Sequence, residues 1–266
     1  MYPLGNKDTI GDGNMRQLFC VTFSPTGTSQ KAAEQIAQAF GGKQVMLDLC
    51  KVVVENIEMG PEDVCIFSVP CYGGRIPQAA AERLSHIRGT HTPAVVCVTF
   101  GNRAFEDALL ELADCAEANG FDVTAGCAVA AEHNIMPVYG RGRPDALDTE
   151  ELRHFSAAAA QKVKDGKTDR PTLPGNYPYK ERHTSQMPIR VNESTCVSCG
   201  ICAAACPVGA ISADGRHTDE TVCIGCMRCT QICPNKSRSV PEAYLTALIQ
   251  RVGSAWAGRK ANEFYL

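Results

Sequence analysis

The 266-residue chain is 44% hydrophobic and 21% charged, with a formal net charge of −3. This is a globular profile without the basic surface that nucleic acid or an acidic membrane would call for. Its longest apolar runs, such as "AVVCVTF" at 94–100, fall far short of the roughly 20 residues a membrane helix requires. Of fifteen cysteines, seven are scattered between Cys20 and Cys127 and eight are packed between Cys196 and Cys233, and no apolar leader stands at "MYPLGNKDTIGDGNM". A small secreted disulfide scaffold is thereby excluded, and a reducing, cytoplasmic setting is expected.

Residues 1–15 read as a flexible extension, and from Arg16 to about Asp165 strand-like and helix-like runs alternate. "QLFCVTF" is strand one; "KAAEQIAQAF" follows as a helix with Ala33, Ile36, Ala37 and Phe40 on one face. "KQVMLDL" and "DVCIFSVP" are strands two and three, and "QAAAERLSHI" is a helix. "AVVCVTF" is strand four; "FEDALLELADCAEANG" is a helix that stops at Gly120, and "FDVTAGCAVA" is strand five. "DTEELRHFSAAAAQKVKDG" opens acidic and closes basic, as the helix dipole favours. Five almost wholly apolar strands separated by helices predict an α/β fold, a doubly wound parallel sheet covered on both faces. Residues 166–188 hold four prolines and little periodicity, a linker or a loop draped over the first domain. A cysteine-rich module spans 189–240, and 241–266 reads as a helix whose stripe of Leu245, Leu248, Ile249 and Val252 packs on the larger domain.

The strongest signal is a pair of matching strings. "CVSCGICAAACP" carries Cys196, Cys199, Cys202 and Cys206 ahead of Pro207; "CIGCMRCTQICP" carries Cys223, Cys226, Cys229 and Cys233 ahead of Pro234. Each is C-x2-C-x2-C-x3-C-P, the ferredoxin run for [4Fe–4S] clusters, in which the fourth cysteine serves the other run's cluster. One cluster is therefore expected on Cys196, Cys199, Cys202 and Cys233, the other on Cys223, Cys226, Cys229 and Cys206. Structural zinc, held by four ligands and commonly by two separated pairs, fits two such runs poorly. The segment is an internal repeat and resembles bacterial 2[4Fe–4S] ferredoxins, small α+β domains. It departs from them at "CPNKSRSV", polar and basic where the first run has "CPVGAI". Between Arg190 and Arg238, five basic residues face four acidic ones. Two loaded clusters, each about −2, make the module acidic. Arg228, Lys236 and Arg238 either offset that charge, face a partner, or are simply solvated.

Between strand one and the first helix lies "FSPTGTSQK", 23–31. The P-loop lysine is missing, and "GDGNMR" at 11–16 precedes the strand and lacks a third glycine, so neither nucleotide cradle applies. A loop at a helix N-terminus with Ser24, Thr26, Thr28 and Ser29 suits an anion, and Gly27 permits close backbone approach. It resembles the flavodoxin phosphate loop [ST]-x-T-G-x-T, with Ser29 for the last threonine. The resemblance implies FMN, wrapped by the loops after strands three and four: Pro70, Cys71, Tyr72, Gly73 and Gly74 in "PCYGGRIPQ", and Gly101, Asn102, Arg103 and Phe105 in "GNRAFEDA". Tyr72 would stack on the ring. His133 in "AEHN" is a candidate proton relay, weighed against a merely hydrogen-bonded histidine. Cys20, Cys65, Cys97 and Cys127 read as buried small hydrophobes, while Cys71, in the ring loop, is the reactive candidate.

Over residues 16–240 the chain resembles the flavodoxin–ferredoxin fusion proteins of anaerobic prokaryotes. That resemblance implies an electron-transfer protein passing single electrons between FMN and two [4Fe–4S] clusters, to or from a redox partner protein or small acceptor. Two alternatives stand beside it. One is an FMN-dependent reductase of a quinone, enone or nitro compound, with Tyr72 or His133 as proton source. The other is a redox sensor in which cluster oxidation changes docking of the C-terminal helix. No NAD(P) motif is present, so hydride uptake from a nicotinamide is not expected.

Overall fold

A computed structural model describes residues 16–51, 56–182 and 187–266. The extension expected at 1–15 lies outside the described residues, as do 183–186 of the 166–188 segment. No helix among the described residues is long and apolar enough to cross a membrane.

The five expected strands are present: β1 Gln17–Thr22, β2 Lys43–Asp48, β3 Val64–Pro70, β4 Thr92–Phe100 and β5 Phe121–Ala130. They pair in parallel in the order β2-β1-β3-β4-β5. This is the flavodoxin-like winding, whose direction reverses at β1/β3 and opens a crevice beyond the strands' carboxyl ends. β3 and β4 are buried on both faces because helices cover both: α1 (Thr28–Ala37) and α4 (Ala146–Lys164) on one side, α2 (Gln78–Leu84) and α3 (Ala108–Ala118) on the other. α1 buries Ala32, Ala33, Ile36 and Ala37, the face its periodicity predicts. α2 ends at Leu84, three residues short of the expected helix; Ile87–Gly89 instead forms a small parallel pair with Ile57–Met59. The described part of the proline-rich segment lies along the larger domain. Leu173 packs into its core, and buried Asp107 accepts from the backbone N–H groups of Asn176 and Lys180.

The cysteine module closes through a two-stranded antiparallel pair, β6 Arg190–Val191 with β7 Arg238–Ser239, around two short helices, α5 Ile201–Ala204 and α6 Arg228–Ile232. Beyond it the chain departs from the expected single helix. α7 ends at Val252, where Gly253 adopts φ 53°. The chain then returns as β8, Glu263–Tyr265, antiparallel to β5, so the sheet has a sixth, antiparallel edge strand. The stripe of Leu245, Leu248, Ile249 and Val252 is only half-buried, and α7 buries no residue fully. The Tyr139 hydroxyl donates to the Ile249 and Gly253 carbonyls and ties α7 to the larger domain, and contacts further along hold the terminus too. The Phe264 ring stacks on Phe155 at 5.2 Å, and Asn262 Oδ1 accepts from the Ala130 N–H.

Candidate functional site

A cleft opens at the carboxyl ends of β1, β3, β4 and β5, where the winding reverses and ligands of such sheets bind. The loop after β1 contributes Ser24, Pro25, Thr26, Thr28 and Ser29. The loops after β3 and β4 contribute Pro70, Cys71, Tyr72 and Gly101, and the loop after β5 contributes Glu132 and Asn134. Gly27 sits at the N-cap of α1 with φ 89°, and a Cβ there would meet nothing within 4 Å. Ser24 Oγ accepts from the Gln30 N–H at 2.9 Å, and Ser29 shares a 2.7 Å hydrogen bond with Thr99. The backbone N–H groups of Thr26, Thr28 and Ser29 and the hydroxyls of Thr26 and Thr28 find no partner among the described residues. Orphaned donors at a helix N-terminus are what a phosphate dianion needs.

Not every expected residue reaches the cleft. Asn102 is buried at 1% exposure, and its amide donates to the carbonyls of Trp256 and Gly258, so it anchors the C-terminal segment. Arg103 pairs with Glu106 and lies over the Trp256 ring; Phe105 packs against Phe100, and both border a neighbouring groove. Gly73 is at the exposed tip of its turn, and a Cβ on Gly74 would run into Glu106, so that glycine serves internal packing. Sequence reasoning missed Pro25, Thr99, Phe100 and Ala131 as lining residues. Thr99 was findable as the polar residue at the carboxyl end of an apolar strand.

The titratable candidates are held in their neutral forms. Burial lowers His133 to about 4, and its Nδ1 accepts from the Ile135 and Met136 N–H groups at 3.2 and 3.1 Å. Its ring packs on Trp256 and does not line the cleft. Burial pushes the Tyr72 phenol well above its ordinary value, and the thiols of Cys226 and Cys50 nearby act in the same direction. Burial pushes Cys71 up to about 12, and its thiol donates toward the Phe105 carbonyl at 3.5 Å, so it is no thiolate nucleophile.

The eight clustered cysteines sort into two quartets. Cys196, Cys199, Cys202 and Cys233 line one cavity; Cys206, Cys223, Cys226 and Cys229 line another. Among the described residues no three such side chains gather on a single-ion position; each quartet rings a cavity. Backbone geometry repeats between the runs. Ser198 and Gly200 flank Cys199 with positive φ, as Gly225 and Met227 flank Cys226, curling the chain so that its N–H groups turn inward. The Ala210 N–H donates to Cys206 Sγ and the Ser237 N–H to Cys233 Sγ, each at 3.3 Å. Burial opposes ionisation of Cys233, but the Ser237 and Asn235 N–H donors carry its thiol below the ordinary value.

The two sites adjoin. Asn134 lines the cleft, and its Nδ2 donates to the Cys226 carbonyl at 3.4 Å. Ile224 packs on the core of the larger domain, and Arg83 donates to both the Leu49 and Pro207 carbonyls, clamping the module down.

A family model described as a 4Fe-4S binding domain matches residues 189–212 and 217–238. No curated protein matches the chain. Among solved structures it is similar to a rubredoxin oxygen:oxidoreductase from the anaerobe Desulfovibrio gigas (18% identity, TM-score 0.42), over 56% of this chain and 36% of that one. It is also similar to a flavodoxin from the domain Archaea (12% identity, TM-score 0.39; 56% of this chain, 99% of that one) and to oxidised flavodoxin 2 from Bacillus cereus (15%, 0.40; 55% and 99%). The chain thus spans about a third of the Desulfovibrio protein it matches. Strand order and the two cysteine motifs define the class: a flavodoxin-like α/β fold joined to a 4Fe–4S ferredoxin module.

Proposed function

We propose that the protein transfers electrons, with FMN in the cleft and one [4Fe–4S] cluster on each cysteine quartet, to or from an external redox partner. The observation that carries this reading is the Asn134–Cys226 hydrogen bond, which joins the cleft wall to one quartet. When bound, flavin supplies one- and two-electron chemistry and the clusters relay single electrons. The chain's own residues do the rest. The donor-rich loop of Thr26, Thr28 and Ser29 fits a phosphate, and Tyr72 offers the cleft an aromatic wall. The all-thiol quartets, with N–H donors to sulfur, suit iron–sulfur clusters.

The order of carriers follows from position. The quartet with Cys226 stands beside the cleft, while Cys199 of the other is exposed between Val197 and Ile201, which are 68% and 47% exposed. A partner would meet the second quartet there. Fusion keeps the carriers at high effective concentration, so internal transfer need not await a collision. The reductase reading finds weaker support, since His133 is already hydrogen-bonded and off the cleft and the Tyr72 phenol is a weak acid.

Anaerobic purification with iron, sulfide and FMN counted tests this; about eight irons and one FMN per chain are expected. Thr26→Ala and Thr28→Ala should each weaken FMN binding about tenfold or more, the scale of a hydrogen bond to a charged group, with iron content unchanged. Full flavin occupancy of both variants at low added FMN would rule out the loop.

A further inference from the structure

The two cysteine runs are repeats, and their backbones agree closely enough for the N–H···S bonds of Ala210 and Ser237 to match. One residue further on, the repeat breaks. Ile211 follows in the first run, buried at 9% in the module's apolar cluster, and Arg238 follows in the second. Arg238 is not the solvated side chain its charge would suggest. It is 3% exposed, it lines the cavity of Cys196, Cys199, Cys202 and Cys233, and its Nη1 lies 4.0 Å from Cys202 Sγ. The same Nη1 donates to the Gly215 carbonyl at 2.5 Å and Nη2 to Thr218 Oγ1, both neutral. Its Nε is buried without a partner, and it pairs with no carboxylate among the described residues. It also borders the other quartet, because Thr218, to which it donates, lines the cavity of Cys206, Cys223, Cys226 and Cys229.

A buried cation without an anion is costly. Nothing else in the module compensates it, and the thiolate-held clusters would. We propose that Arg238 is the resident counter-charge of the two clusters, placed on the seam between them to raise their reduction potentials. Reduction of a [4Fe–4S] cluster adds one electron and, with no bond broken and no proton taken up, changes its charge with four thiolates from about −2 to about −3. A fixed buried cation stabilises the more negative state, and the effect is strong because little water screens it. The inference rests on the iron–sulfur reading above.

The test is a redox titration of the full-length protein with dithionite as reductant, each cluster followed by EPR, beside iron and sulfide counts. The wild type is measured first; if it holds no clusters, the reading beneath the inference fails, independently of Arg238. Arg238→Gln and Arg238→Met should keep about eight irons by two four-iron clusters and move both midpoints negative. The reduced-to-oxidised ratio at fixed potential should fall about tenfold, which is about 59 mV for a one-electron couple. Arg238→Lys should stay nearer the wild type. Unchanged midpoints in the neutral variants overturn the proposal and leave Arg238 as a brace for the 215–218 loop. Should the neutral variants fail to hold clusters, Arg238→Lys decides. Retention with lysine supports a need for charge, and loss with lysine too assigns the residue a packing role.

Discussion

His133 shows how a titratable residue can sit on the rim of a site without serving it. Its Nδ1 is committed to two backbone N–H groups, a task that requires the unprotonated nitrogen. In an unfolded chain the ring titrates near 6.5, in the fold near 4. Between those values the unfolded state takes up a proton that the folded state refuses. Stability is therefore complete above about pH 6.5 and is lost as the pH falls toward 4, by about 2 kcal/mol at pH 5. His133→Asn keeps an acceptor for the same N–H groups and has no proton to gain. Denaturation midpoints of wild type and variant should diverge between pH 7 and pH 5; parallel loss in both would show that another group sets the acid limit. The Asn102 amide teaches the same lesson. The flavodoxin resemblance put it beside a ring, and the fold spends it on the carbonyls of Trp256 and Gly258, because those groups are buried and need a donor.

The most informative element is the C-terminal strand. Helix periodicity through Val252 hid it, since a three-residue strand carries too little alternation to be read. Its anchorage is electrostatic as well as apolar. Asp148, fully buried at the start of α4, accepts from Arg143, Arg259 and Asn262, while Asp145 caps the helix and pairs with Arg259. Asp148→Ala would strand the buried Arg143 guanidinium and release the segment's ties. A loss of about 3–5 kcal/mol is expected, with β8 becoming susceptible to protease and the iron content unchanged. A variant as stable and as protease-resistant as the wild type would show that Phe264 and the β5 ladder suffice. The parallel strands were legible because burial on both faces leaves them few polar positions: Cys65, Ile66, Phe67 and Val69 are all sealed inside, with Ser68 the one polar side chain among them.

At the scale of the whole molecule, function depends on how the cysteine module sits on the α/β domain. Arg83 bridges the Leu49 and Pro207 carbonyls, and Asn134 reaches Cys226, so the seam is polar and thin. On the proposed reading, Arg83→Ala should leave FMN and iron contents intact while slowing electron exchange between them about tenfold or more, because misplacement by even an ångström is costly. Rapid-mixing reduction of the loaded protein reads this directly, and an unchanged internal rate would mean that the clamp is dispensable.

Spacing alone determined the cluster chemistry, since a thiol-ligand run is local: C-x2-C-x2-C-x3-C-P places its sulfurs through one curled turn and a few helical residues wherever it occurs. The five parallel strands and the helices between them were likewise readable, because apolar runs and helix faces follow from short-range periodicity; their order was implied by the flavodoxin resemblance. The tertiary structure alone decided the rest: which quartet faces the cleft, that Asn102 and Arg103 turn to the C-terminal segment, that the chain ends as a sixth strand, and that Arg238 lies buried between two cavities. These depend on contacts between residues up to 158 positions apart, where periodicity carries no signal. There the desolvation of a single amide or guanidinium determines which partner it must find.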